Sequence, residues 1–483
     1  MKIFTSSPMF ASLSIVLSVA FTTGLVQKST AQEVITIQEA IDKTLSNNLQ
    51  VKQSKLSESL SEENLGQSKY ALLPNLTSSG GYNVNYGRSI DQSTYSYNNT
   101  QFSSFNGSVS TSVTLFQGLQ KLNQIKQNKL LLAADKTNTE KIKNDLILQV
   151  ITAYLQILYN KDLLKAAEQQ MTVSKQQLDV QQQLLDVGNK TLADLSQAKS
   201  QLATSELNKT NAENALTISY LTLAQLMEIP SATKYEVQAP VLSSFNKPSV
   251  NYNPDQVYDN ALTFFPDIKL AALKSEAAKK GIDVAKGSYY PSLSLGGSLG
   301  TNYSSTGSKV VGTAPGDIIP IGYTSIGKET VVTQTTKQLT EAIPFRDQFK
   351  DNFGQSFGFT LSIPIFNGFQ ARSSVRKARI NFLQNKTQEQ LAKNSLSKVI
   401  YQAVADLKAA ESRYSSTTNT FLAQKDAFHV IEQRYAVGLV NSLDYSTSQT
   451  NMNKAEIDMI QAKYDLLFRA KVIDYYLGKQ IIF

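Results

Sequence analysis

The chain has no cysteine and no tryptophan, and its 483 residues include a single histidine, His429. Without a thiol there is no disulfide framework, no thiolate metal site, no cysteine nucleophile and no lipidated N-terminal cysteine. One histidine excludes a multi-histidine metal centre and leaves a nucleophilic triad without support. No nucleophile elbow is present, so an envelope hydrolase is disfavoured, the expectation is a protein that is not an enzyme, and no cofactor is required. His429 reads as a surface residue. Lys and Arg outnumber Asp and Glu by only 47 to 39, a net charge of +8 with charged residues at 18%, and no basic block stands out, so nucleic-acid binding gains no support. Long apolar runs are also missing after the N-terminal segment: nothing approaches the length of a spanning helix, so entry into a membrane has to use β-strands.

Residues 1–31 read as a signal peptide, with Lys2 at the start, a short apolar run from Phe10 to Phe21 and the small-residue pattern Ser29-Thr30-Ala31, so the mature chain is expected to begin at Gln32. A cut after Ala20 and a retained anchor are the alternatives.

The remainder of the chain is a duplication. In one register Asp42 meets Asp259, Leu45 meets Leu262, Val51 meets Ile268, Pro74 meets Pro291 and Leu76 meets Leu293. In a second, wider register Phe116 and Gly118 meet Phe366 and Gly368, Val187 and Gly188 meet Val437 and Gly438, and Asp194 meets Asp444. The offset widens between Leu293 and Phe366, so one loop is longer in the second copy. The copies are expected at 32–253 and 254–483.

Gly118 to Gly188 and Gly368 to Gly438 are intervals of equal length without an internal Pro or Gly, and each reads as one continuous helix of roughly 100 Å. Heptad stripes support this: Val150, Ile157, Leu164, Met171, Leu178 and Leu185, and then Ile400, Leu407, Tyr414, Phe421, Phe428 and Tyr435. A second stripe begins after each Gly, which makes each Val-Gly the tip of a helical hairpin. The returning helix is shorter, and a separate helix is expected from about Asp255 to Tyr289, so a long helix lies beside two short ones.

Four segments alternate with period two. Phe105, Val109, Val113 and Leu115 oppose Ser108, Ser110, Ser112 and Thr114. Phe353, Phe357, Phe359, Leu361, Ile363 and Ile365 oppose Gly354, Ser356, Gly358, Thr360 and Ser362. Weaker partners run through Tyr82 to Tyr86 and Leu293 to Tyr303. Lipid on one side and water on the other requires this pattern, although a soluble sandwich sheet shares it. Four strands cannot close a barrel, and an edge exposed to lipid is forbidden, so closure has to come from other subunits.

The pattern resembles the TolC family of outer membrane efflux proteins. The resemblance is carried by Leu73-Pro74-Asn75-Leu76 and Tyr290-Pro291-Ser292-Leu293, by Leu115-Phe116-Gln117-Gly118 and Pro364-Ile365-Phe366-Asn367-Gly368, and by the tips at Val187-Gly188 and Val437-Gly438. It implies an α+β membrane protein: duplicated coiled-coil hairpins and four amphipathic strands, three chains forming one outer membrane β-barrel that continues as a helical tunnel in the periplasm. It also implies a homotrimer working with a periplasmic adaptor (membrane fusion) protein and an inner membrane transporter, with outer membrane lipid around the barrel, in efflux or type I secretion of small molecules or proteins. A periplasmic coiled-coil adaptor or scaffold without a barrel is the alternative. The family's periplasmic gate maps onto Tyr435, Asp194 and Asp444, with Tyr435 expected to donate a hydrogen bond to Asp194, and its adaptor-docking tips onto Val187, Gly188, Val437, Gly438 and Leu439. Two departures stand out: Val440 replaces the family's gate Arg, and Thr447 its second lumen Asp.

Overall fold

A computed structural model describes residues 33–91, 96–98, 101–230, 234–239 and 252–479. The expected signal peptide lies outside the described residues.

The elements run β1 (Glu33–Ile35), α1 (Ile37–Asn47), α2 (Leu49–Tyr70), β2 (Asn75–Asn85), β3 (Ser89–Asp91), β4 (Ser96–Asn98), β5 (Phe102–Gln117), α3 (Gln120–Asp186) and α4 (Leu192–Leu226). After β6 (Tyr235–Val237) come α5 (Pro254–Phe264), α6 (Pro266–Lys286), β7 (Ser292–Ser304), β8 (Ser308–Tyr323), β9 (Thr330–Ala342), α7 (Phe345–Asp351), β10 (Gly354–Ser362), α8 (Gln370–Ala436) and α9 (Ser442–Tyr476). The long helices α3 and α8 hold 67 residues each and their returning partners α4 and α9 hold 35 each, so the duplication is preserved to the residue. Each long helix packs against its returning partner over one half and a short helix over the other: α3 against α4 and α2, α8 against α9 and α6.

Two short helices stand where the sequence suggests one. The segment from Asp255 to Tyr289 breaks at Phe265, because Pro266 has no amide hydrogen to donate and starts a new helix at its first position. The first copy breaks at the equivalent residue by other means: the Asn48 side chain accepts from the Gln50 amide at 2.8 Å and so caps α2.

The two halves meet through α3, which also touches α6 and α9. The largest apolar core sits at mid-height, where Val150, Ile151, Ile157 and Leu223 are closed over by Ile35, Tyr235 and Val237. The parallel pairing of β1 with β6 brings these last residues in, and no periodicity in the sequence signals it. The Tyr154 hydroxyl donates to the Gln238 carbonyl at 2.6 Å and pins the pair to the long helix.

The main sheet has the order β10-β7-β5-β2, antiparallel throughout. Val109 lies opposite Leu299, and Phe359 opposite Leu295, on one face. On the other face hydroxyls pair across the strands: Thr77 with Ser110 at 2.8 Å, Ser79 with Ser108 at 2.8 Å, and Ser298 with Ser356 at 2.9 Å. Among the described residues the outer edges of β2 and β10 have no strand partner.

Three expectations about the strands need correction. The described chain holds more than four strands, since the insertion in the second copy is itself a long hairpin, β8 with β9, and β3 pairs with β4. A bulge between Thr114 and Phe116 leaves Leu115 without a partner on β7 and puts Phe116, in its place, opposite Leu293. The last strand ends at Ser362, so Ile363 and Ile365, on either side of Pro364, lie beyond it.

Candidate gate and docking tips

Each hairpin turns in the same way. The Gly188 amide donates to the Leu185 carbonyl at 2.9 Å and the Asn189 amide to the Leu184 carbonyl at 2.8 Å, the paired bonds of a Schellman ending. Gly438 and Leu439 repeat them onto Tyr435 and Arg434 at 3.1 and 2.9 Å. Both turns need a residue with left-handed backbone, supplied by Gly188 at φ +79° and Gly438 at φ +77°. The turn pushes its neighbours outward: Val187 is 68% exposed, Val437 70% and Leu439 76%. Leu192 and Leu443, in the first turns of the returning helices, are also exposed and enlarge this apolar knob; they lie off the heptad stripes, so the sequence pattern does not single them out.

The returning helices start on side-chain caps. Thr191 and Asp194 form a reciprocal capping box at the head of α4, whereas at the head of α9 the Asn441 side chain accepts from the Asp444 amide at 2.8 Å. Asp194 and Asp444 therefore lie in first turns, where the helix dipole favours a carboxylate. Asp444 is exposed.

Tyr435 ends α8. Its ring stacks on Tyr445 of α9, with centroids 4.6 Å apart, and Phe428 stands 5.4 Å from the same Tyr445 ring. The Lys190 ammonium, from the first hairpin, sits 4.9 Å from the centre of the Tyr435 ring. The hydrogen bond expected from Tyr435 to Asp194 is not formed within the chain. The phenol oxygen is buried and the Gln177 and Gln181 side chains face it, but neither comes into full hydrogen-bond geometry and the Gln181 amide is itself unpartnered. Burial, followed by the negative charge of Asp194, raises the pKa of the Tyr435 phenol.

Asp194 is occupied elsewhere. One carboxylate oxygen accepts from Thr191, from its amide at 3.1 Å and its hydroxyl at 2.8 Å, and the other accepts from the Ser442 hydroxyl at 2.6 Å. These bonds, Ser442 first and then Thr191, hold its pKa below the usual carboxylate range. Ser442 belongs to the other hairpin, 248 residues away, and no local spacing signals that contact. His429 is exposed, 3.6 Å from Glu432.

No group of metal-ligating residues occurs among the described residues, nor any helix long and apolar enough to cross a membrane. The sequence profile described as "Outer membrane efflux protein" matches residues 40–227 and 257–479. The chain is 21% identical to the outer membrane efflux protein BepC of Brucella suis over 435 residues, 89% of this chain and 83% of that protein. It is 24% identical to the outer membrane protein TolC of Escherichia coli over 341 residues, 69% of this chain and 61% of that protein. Its fold superposes on the CmeC outer membrane channel of Campylobacter jejuni with a TM-score of 0.73 at 16% identity, covering 92% of this chain and 85% of that one.

Proposed function

The chain belongs to the outer membrane efflux protein family, and from that premise we propose that three copies form the outer membrane exit duct of a tripartite efflux pump or type I secretion system. The observation that carries this reading is the main sheet, with one apolar face, one hydroxyl-lined face and two open edges. An open edge cannot face hydrocarbon, where each unpaired backbone group costs several kcal/mol. Pairing β10 of one copy with β2 of the next satisfies both edges, and three chains of four strands give twelve, with serines and threonines lining a wet interior. The two copies, 32–253 and 254–483, then each supply half of a protomer's share of barrel and tunnel.

Below the barrel, helices of about 100 Å continue the conduit into the periplasm. The exposed Val187, Gly188, Val437, Gly438 and Leu439 suit the docking of a periplasmic adaptor that links the duct to an inner membrane transporter. Tyr435, Asp194 and Asp444 then form the constriction at this end. Small molecules or proteins pass outward, and the duct performs no chemistry on them. A periplasmic adaptor without a barrel would have no use for a lipid-compatible sheet face.

Outer membrane fractionation, combined with migration of an oligomer that resists mild heating and collapses on boiling, tests the proposal. Recovery as a periplasmic monomer would overturn it.

A further inference from the structure

The insertion that lengthens the second copy stands at the end of the main sheet remote from the long helices. β7 leads away from α6, β10 leads back to α8, and the β8–β9 hairpin lies between them. Its base is clamped. The buried Gln348 side chain of α7 accepts from the Ser304 amide at 3.0 Å and donates to the Ser304 and Ile343 carbonyls at 2.9 and 2.8 Å, so it ties both feet of the hairpin together. The Phe345 ring of the same short helix packs on Tyr303 of β7, with centroids 5.0 Å apart. The hairpin therefore leaves the sheet in a fixed direction.

Above this base it carries apolar side chains into water. Thr330, Val332 and Gln334 alternate along β9 and lie opposite Tyr323, Pro320 and Ile318, so Ile318, Pro320, Tyr323 and Val332 share one face. Ile318, Tyr323 and Val332 are exposed, as is Ile326 at the turn. No charged residue falls between Asp317 and Lys328. A two-stranded hairpin is marginally stable by itself in water, and an exposed apolar face of this kind calls for a partner.

Charge and reach select the partner. Lys309, Lys328 and Lys337 balance Asp317, Glu329 and Glu341, so the hairpin is neutral. Copies of it meet without repulsion, whereas a surface of one sign gains nothing from it. The shorter strand, of 13 residues, is about 43 Å long. In a barrel of twelve strands, about 4.8 Å apart and tilted by about 40°, the axis lies about 12 Å from the rim. Three hairpins rising from that rim are long enough to meet on the axis. A ring joined edge to edge would set β8 of one copy on β9 of the next, but β8 holds Pro315 and Pro320 and takes the extra residue at each register shift with β9. Prolines and bulges blunt an edge, which leaves the apolar faces to make the contact.

We infer that the β8–β9 hairpins of three copies pack on the three-fold axis through the face of Ile318, Tyr323 and Val332, and that this apolar crown narrows the outer mouth of the duct. The inference rests on the trimeric duct proposed above and adds a constriction at the end opposite the helical tips. Apolar constrictions hinder ions by shedding water.

Because the chain has no cysteine, Tyr323→Cys gives one thiol per copy and Thr333→Cys, an exposed position on the other face of the hairpin, gives the control. The purified oligomers are treated with a short bismaleimide and boiled in detergent. Covalent dimers are expected from Tyr323→Cys and monomers from Thr333→Cys. In planar bilayers the double variant I318D/V332D, which sets like charges against one another in the crown, should form the heat-resistant oligomer and conduct roughly twofold or more above the native protein. If Tyr323→Cys yields only monomers while its oligomer resists mild heating, the duct stands and the crown is overturned. Dimers accompanied by unchanged conductance in I318D/V332D overturn the constriction. If the native protein forms no heat-resistant oligomer, the duct reading falls and the crown with it.

Discussion

Tyr435 and Tyr445 stack across the second hairpin with ring planes 28° apart, and the Tyr435 hydroxyl at the edge of that stack meets no acceptor of its own chain in full hydrogen-bond geometry. The ring, not the hydroxyl, makes the contact. A buried hydroxyl without a partner costs about 1–3 kcal/mol, so Tyr435→Phe is expected to leave the closed state as stable as before or more so. Tyr435→Ala removes the stack and the seat of Lys190, and should raise conductance. Bilayer recordings of both variants check this, and a large rise in the Phe variant would show that the hydroxyl bonds to a neighbouring copy.

The Asp194 carboxylate is held below its ordinary pKa chiefly by Ser442 and then by Thr191, with Lys190 contributing. Because the folded-state pKa is depressed, the stabilisation is present above the unfolded value and is lost only as pH falls through the folded one. Open probability should therefore stay flat between about pH 7 and 5, the window above the unperturbed carboxylate range. A rise already at about pH 6 would mean that another group controls closure.

The sheet faces predict an asymmetric tolerance to charge. Arginine at Val109 or Phe359 should cost about 2–4 kcal/mol at mid-depth, whereas arginine at Ser110 or Thr360 should be accepted. Yield of the heat-resistant oligomer measures the difference, and equal yields would remove the lipid-facing assignment.

The strand-to-helix junctions separate the two copies. A Cβ on Gly118 would stand 2.5 Å from the Gly287 carbonyl oxygen, but one on Gly368 meets nothing within 4 Å, although both residues have left-handed backbone. Gly118→Ala should cost about 3 kcal/mol, overpacking plus strain, and Gly368→Ala about 1 kcal/mol. Thermal melting followed by circular dichroism distinguishes them.

At the tips the open space around Gly188 and Gly438 leaves only the left-handed backbone against a larger residue. Gly438→Phe should therefore assemble normally but fail in efflux complementation, because the knob an adaptor meets has changed shape. Retained efflux would place docking elsewhere.

Much of this architecture is legible in the sequence because it is periodic. Prolines and glycines are excluded from Leu119 to Val187 and again from Phe369 to Val437, apolar residues return every seventh position, and Val-Gly marks each turn. Breaks with a local cause are within reach of such a reading, and Pro266 is one that periodicity alone passes over. The rest depends on residues far apart. The Thr114–Phe116 bulge exists only because β5 must register with β7, the β1–β6 pair joins the two ends of the first copy, and the Ser442–Asp194 bond forms only once two hairpins lie side by side. For the same reason the Tyr435–Asp194 bond, read from matching positions, does not anticipate that Ser442 occupies the carboxylate.

The proposed closing of one water-filled conduit through the outer membrane by copies of this chain is tested most directly by the conductance of the purified protein in planar bilayers. Discrete ionic steps are expected, and they should disappear when arginine replaces Phe359. Binding to the bilayer without any such steps would contradict the proposal.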